Sequence, residues 1–249
     1  MKKIILSTVV IAALSTVANA DFLGAEVGYA VWSPSLTGTI KGNSAIDRNI
    51  DLENDLGYGD RENNSFFWAS FDHPLPILPN IKVQKTNYTT SNLSNKTVTF
   101  DGKTYTGNVA SSLTLDQIDA ILYYRLLDNW VNLDLGLNIK TIDGNIKLSS
   151  STSTPTPTDK DFNAIIPMLY AKAKFDMPFT GLSVEADCSY IGYNGSKFTD
   201  MKAALIYESP IGLGINAGYR SENLVLDDID DTNTDIKING FYAGVFYHF

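Results

Sequence analysis

The last stretch of the chain, Ile236 to Phe249, constrains the fold more than any other. It reads I-K-I-N-G-F-Y-A-G-V-F-Y-H-F. Tyr247, Val245, Ala243 and Phe241 share the parity of Phe249, while His248, Phe246, Gly244, Tyr242 and Gly240 share the other. Successive side chains of a strand point to opposite faces, so one face is uniformly apolar and aromatic and the other is mixed and rich in glycine. Such a strand needs a partner for its edge and a non-aqueous place for its outer face. A closed barrel in a membrane supplies both.

The start of the chain agrees. Lys2 and Lys3 precede a mostly apolar run, Ile4 to Val17, and Ala18-Asn19-Ala20 is an A-x-A cleavage site. This predicts a cleaved secretory signal peptide over residues 1–20 and a barrel over 21–249. The apolar run is short of the roughly 20 residues of a spanning helix. Asp21 is not a cysteine, which argues against a lipoprotein anchor. No later stretch approaches the ~18 continuous apolar residues of a transmembrane helix. Residues are 44% hydrophobic and only 19% charged, so an exported chain without an apolar helix is read as an all-β transmembrane barrel.

Ten strands are expected: Asp21–Trp32, Ser65–His73, Ile81–Thr89, Leu113–Arg125, Val131–Asp143, Asn163–Phe175, Leu182–Ile191, Phe198–Glu208, Leu213–Arg220 and the closing strand. The clearest is Val131–Asp143, where Val131, Leu133, Leu135, Leu137 and Ile139 alternate with Asn132, Asp134, Gly136, Asn138 and Lys140. The third is ambiguous. Ile81 and Val83 define an outer face on which Lys85 also falls, at ~2–4 kcal/mol if it sat at mid-bilayer. Either a bulge shifts the register there, or the strand has left the membrane by then. Without the third strand or its neighbour the count would be eight.

Long polar segments, Ser33–Asn64, Thr90–Ser112, Ser149–Asp161 and Ser221–Asp235, are expected outside the cell, and short turns such as Ser209–Gly212 on the periplasmic side. Within them, Asp51–Gly57 reads as a continuing strand, and Val98–Tyr105 as a hairpin with an Asp-Gly turn. Tyr29, Trp32, Trp68, Tyr124, Trp130, Tyr190, Tyr207, Tyr219, Tyr247 and Phe249 lie near strand ends and are read as interfacial girdles.

The run Leu115 to Gly136, L-D-Q-I-D-A-I-L-Y-Y-R-L-L-D-N-W-V-N-L-D-L-G, resembles a family of small Gram-negative outer-membrane β-barrels of unassigned function. The likeness extends over the mature chain and is strongest in that hairpin and at the C-terminus. The terminal Phe249, with apolar and aromatic residues at alternate positions before it, resembles the signature read by the barrel-assembly machinery. The resemblance implies the fold and an outer-membrane location, and it carries no catalytic residues. Expected partners are outer-membrane lipid, lipopolysaccharide and that machinery, with the protein a monomer. The net charge of −9 argues against nucleic acid.

On the inward parity the acids are Glu26, Asp72, Asp119, Asp134, Glu185, Asp187, Asp200 and Glu208. The bases are Lys82, Arg125, Lys140, Lys172, Lys174, Lys202 and Arg220. Near balance predicts a lumen that pairs its charges, because an unpaired buried ion costs several kcal/mol. No catalytic, cofactor or metal site is expected. The two histidines, His73 and His248, fall near periplasmic ends, away from an external active site. Cys188 shares a parity with Leu182, Val184 and Ala186 and reads as a small apolar residue. The loop Asp227–Asp235 has oxygen ligands for Ca²⁺ but lacks the EF-hand glycine, so a solvated acidic loop is expected. The expected role is structural, or that of a narrow non-specific channel. The alternative is an external binding or adhesion surface made by Ser33–Asn64 and Thr90–Ser112, ahead of a lipid-modifying enzyme.

Overall fold

A computed structural model of the chain describes residues 24–41, 46–75, 77–152, 155–229 and 232–249; the expected signal peptide lies outside them. The strands in chain order are β1 (Gly24–Lys41), β2 (Ile50–Asp51), β3 (Asn64–Asp72), β4 (Asn80–Ser94), β5 (Val98–Phe100), β6 (Lys103–Tyr105) and β7 (Val109–Asp128). They continue with β8 (Val131–Ser150), β9 (Thr158–Met177), β10 (Leu182–Tyr193), β11 (Ser196–Glu208), β12 (Leu213–Ile229) and β13 (Thr232–His248). Ten of them form an antiparallel wall, and β13 pairs with β1 to close it. The closing register runs Val27↔Tyr247, Tyr29↔Val245 and Val31↔Ala243, so apolar residues of the two chain ends meet on the outer face. All ten predicted strands are in the wall, including the third, so the eight-strand alternative falls.

Alternation sets which face is which. On β8, Leu135, Leu137 and Ile139 are exposed on the outside, while Asp134, Asn138 and Lys140 are buried inside. The outer apolar run ends on β7 at Ile118 and on β8 at Thr141; the next outward pair is Asp116 opposite Asp143. From Leu133 to Thr141, at ~3.4 Å per residue and ~40° of tilt, the band is roughly 20 Å tall, near the ~25 Å of a membrane-spanning barrel.

Lys85 shows how β4 resolves its conflict. Its register with β3 and β7 runs through Phe67↔Lys85↔Ile118 without a shift, so no bulge is present. The side chain faces outward at the top of the apolar band, and outward Asn87 and Thr89 follow it. A long lysine stem there reaches the headgroup region with its ammonium.

The strands run further than the alternation of apolar residues implied. Strand β1 continues to Lys41, β4 to Ser94, β8 to Ser150 and β12 to Ile229, and β7 and β9 begin at Val109 and Thr158. All four segments expected as external loops are therefore partly wall. Above the membrane the outer face is polar, which hid these strands, but the backbone ladder continues because the inner face still packs on apolar side chains. Asn145 shows the polar outer face: its amide donates to Asp159 at 2.8 Å and to Asp161 at 2.7 Å across the β8–β9 pair.

Two turns follow their sequence signals. The β5–β6 hairpin turns on Asp101-Gly102, with φ of 55° and 68°, and β10–β11 turns on Asn194-Gly195, with φ of 47° and 86°. Left-handed φ at both central residues defines the type I′ turn, which only short polar residues and glycine enter readily. The girdle reading fails at Trp32 and Trp68, which are buried inside. Their parity, opposite to that of Val31 and Phe67, already pointed inward. Tyr124, Trp130, Tyr190, Tyr207 and Tyr247 are exposed on the outer surface as expected.

With the β8–β9 connection on one side and Ser209–Gly212 on the other, an epitope tag after Thr156 should be stained by antibody on intact cells. A tag after Pro210 should stay silent until the outer membrane is permeabilised. Equal access for both tags, or the reverse pattern, would contradict this topology.

Candidate functional site

The lumen is built in three tiers. The lowest is a vestibule of 1360 Å³ at the turn end of the barrel, where His73, Pro74, Leu75 and Asn129 form part of its lining. Charges on its wall follow a ladder. Arg125, Asp134, Lys172, Asp187 and Lys202 stand directly opposite one another on the consecutive strands β7 to β11, alternating in sign. Like charges at such positions would repel, and opposite charges attract. Arg125 lies 3.3 Å from Asp134 and 2.7 Å from Asp72, Lys172 lies 2.8 Å from Asp134, and Lys202 lies 3.4 Å from Asp187. The Tyr123 hydroxyl donates a short hydrogen bond to Asp72.

The middle tier is a buried ion-pair layer. Arg220 and Lys140 are both 0% exposed. Arg220 reaches Asp200 at 2.8 Å, Glu222 at 2.7 Å and, through another guanidinium nitrogen, the Thr86 hydroxyl at 2.8 Å. Lys140 reaches Asp119 and Asp200 at 3.0 Å and donates to the Gln117 amide oxygen at 2.9 Å. Gln117 in turn donates to Glu222 at 2.9 Å, so the carboxylates share two cations and an amide. The guanidinium also lies 4.9 Å from the ring centre of Trp32 and 5.3 Å from that of Phe66, both flanking it with aromatic faces.

The upper tier is apolar. Ile50 of β2, with Leu52, Leu56 and Tyr58 from the segment between β2 and β3, is buried against Trp32, Leu36 and Tyr88 of the wall. The segment is not a continuing strand. After β2 it turns, with Asp55 and Leu56 donating backbone hydrogen bonds to the Asp51 carbonyl. The Asp51 side chain caps the turn, accepting from the backbone of Asn54 at 2.8 Å and of Glu53 at 3.0 Å. The Asn54 backbone bond is the main reason its carboxyl is held below the usual range. Leu52 and Leu56, four residues apart, thereby point the same way, into the barrel. Burial pushes the Tyr58 phenol up to about 12, so the plug contains no charge there. The β5–β6 hairpin adds Val98 and Tyr105 to this core. Asp47 ties the two external segments together, accepting from the backbone of Gly102 at 3.0 Å and of Asp101 at 3.2 Å.

Every charge expected on the inward parity is inside the barrel. Glu26 accepts from the Trp68 indole at 2.6 Å, and Glu208 lies 3.2 Å from His248. Missing from the expected set was Glu222, assigned to a loop; its parity with Arg220 was the signal, had β12 been extended past Arg220. The plug was missed too, although four large apolar residues in an otherwise polar segment signalled burial. His73 stays in its turn, 3.1 Å from the Pro79 carbonyl. Cys188 is half-buried on the outer face between Ala171 and Met201. The side chains of 227–233, most of the acidic loop, lie outside the described residues, and among those described no cluster of metal-ligating groups occurs.

No protein-family model and no curated protein matches the sequence. Solved structures do. The outer membrane protease OmpT from Escherichia coli matches with a TM-score of 0.54 over 93% of this chain and 98% of that one, at 10% identity. This chain has the fold of the Gram-negative outer-membrane β-barrels. The translocator domain of the autotransporter NalP from Neisseria meningitidis matches at a TM-score of 0.45 and 11% identity, over 98% of this chain and 95% of that one. The fold and the lipid-facing wall place the protein in the outer membrane. Likeness at this identity concerns the fold alone.

Proposed function

We propose that this outer-membrane barrel is a structural protein that does not conduct, with a rigid cap held on its outer face. The observation that carries this reading is the double closure of the lumen. An apolar plug of Leu52, Leu56 and Tyr58 lies over the buried Arg220–Lys140 layer. A hydrated ion crossing would have to shed water against the plug and then separate pairs that are fully desolvated, each step costing several kcal/mol. The expectation of a charge-paired lumen thus becomes an argument for a seal and against a narrow channel. Catalysis finds no support in the histidines either: among the described residues, His73 contacts the Pro79 carbonyl and the Leu75 backbone and His248 contacts Glu208, and neither hydrogen-bonds a serine or cysteine that it could activate.

A second reading, a binding surface, is favoured by one observation: the external segments are fixed. Asp47 ties the first segment to the β5–β6 hairpin, the Asp51-capped turn orders that segment locally, and the Tyr105–Thr158 hydrogen bond at 2.6 Å holds the hairpin to β9 of the wall. A pre-ordered surface binds without the entropy cost of ordering loops. The test of the main reading is planar-bilayer recording of the refolded wild-type protein, which should give no steady single-channel steps. Reproducible steps would overturn it; silence together with saturable binding of whole cells to a host surface would add the second role.

A further inference from the structure

The vestibule is charged unevenly along its depth. At its rim, Asp128, Asp176 and Glu208 stand at or near the turn ends of β7, β9 and β11, and Asp72 is already held by Arg125. Further in, Lys82, Lys172 and Lys202 face the cavity with Glu185 and Asp187. Most of these groups are paired. Lys172 has Asp134, Lys202 has Asp187 and the Gln84 amide oxygen at 2.7 Å, and Lys174 has Asp176. Lys82 differs: among the described residues it is the one lysine or arginine lining the vestibule that makes no ion pair. Glu185 lies amid Lys172, Lys82, Lys174 and Lys202 without a close contact to any, so Lys82 keeps its ammonium uncommitted to a carboxylate. Phe66, Trp68, Tyr242 and Phe246 supply an apolar wall.

We propose that this vestibule binds a short peptide with free ends, entering from the periplasm, its carboxylate on Lys82 and its ammonium among the rim carboxylates. A simple anion has to pass Asp128, Asp176 and Glu208, and a simple cation meets the lysines further in. An extended zwitterion that enters carboxylate first matches both ends. The 1360 Å³ space exceeds the ~300–1,000 Å³ usual for small-ligand sites, leaving room for several residues. The aromatic wall takes apolar side chains, while the paired charges fix the ladder and leave Lys82 free to bind.

The test is isothermal titration calorimetry on the full barrel refolded in detergent, with Ala-Leu-Ala, its C-terminal amide and its N-acetyl form as probes. Saturable binding of Ala-Leu-Ala is expected, with a Kd of about 1 mM or below. The amide should bind roughly tenfold more weakly, because a charge-assisted hydrogen bond is lost, and the acetylated form should also weaken. Lys82→Met should lower the affinity for Ala-Leu-Ala roughly tenfold and abolish discrimination between acid and amide, while Lys82→Arg retains it. Lys82 makes no ion pair, and Lys172, Lys174 and Lys202 remain around Glu185 when it is replaced, so Lys82→Met should keep the wild-type gel shift on heating, and Lys82→Arg provides the check should it not. The proposal is overturned by the absence of saturable heat with Ala-Leu-Ala up to about 10 mM, far above the expected Kd. Equal wild-type affinity for acid and amide, or undiminished binding by folded Lys82→Met, overturns it equally.

Discussion

Replacing Arg220 by methionine is expected to destabilise the barrel by about 3–5 kcal/mol, the cost of stranding a buried charge by removing its partner. Asp200 and Glu222 each lose a nitrogen at 2.8 Å and 2.7 Å, and Thr86 loses its donor. Lys140 would be left as the only cation in the layer for Asp119, Asp200 and Glu222. Arg220→Lys should recover only part of the loss, since a single ammonium can replace the Nη2 that serves both carboxylates but not also the Nε bond to Asp200 and the Nη1 bond to Thr86. Lys85→Met, on the outer face, should stay within about 0.5 kcal/mol of wild type. The midpoint of the heat-induced gel shift, or of urea unfolding in detergent, measures all three. An Arg220→Met midpoint equal to that of wild type would show that the layer carries no such energy.

Leu56→Asp should release the outer cap while leaving the wall closed. Leu56 is fully buried among apolar side chains, and a carboxylate placed there without a partner costs several kcal/mol. The segment has an alternative, because it can swing out into water at the loss of the Leu52, Leu56 and Tyr58 contacts, whereas a wall strand cannot. Protease cleavage between residues 46 and 63 on intact cells should therefore rise by more than about tenfold, the factor that corresponds to 1.4 kcal/mol of local opening. The gel shift of the barrel should persist. In planar bilayers this variant should remain silent, since the Arg220 layer still closes the lumen beneath it. The double variant, Leu56→Asp with Arg220→Met, should conduct. Conduction by Leu56→Asp alone would mean that the plug is the only seal, and unchanged cleavage would mean that the segment is held by something other than its apolar contacts.

The wall was legible because a membrane barrel obeys one rule along most of its length. Val131 to Lys140 alternates so strictly that both faces and every inward charge of β8 follow from parity. The same rule placed Arg220, Asp200 and Lys202 inside. It stopped working above the membrane, where both faces lose their simple signature: Asn145 and Asp161 are outward and polar, and the ladder beneath them is held by inward Ile146 and Leu148. It also misled where aromatic residues were judged by their distance from strand ends. Trp32 and Trp68 had the inward parity, and parity prevails because a strand cannot turn one side chain through the sheet.

The sequence by itself determined an all-β barrel, its ten strands, which of its connections are short turns, and which charged residues enter the lumen, Glu222 excepted. These follow from local periodicity and turn chemistry, which act over a few residues. Which charge meets which, and whether the lumen is open, was decided only by the tertiary structure. The Gln117–Glu222 contact joins residues 105 positions apart, and the Lys202–Gln84 contact joins residues 118 apart. Such partners depend on the register of every strand between them and on the curvature of the closed wall. The plug depended on closure as well. Leu52 and Leu56 fold inward because only a finished barrel offers them an apolar interior at that height, which no window of the sequence can display.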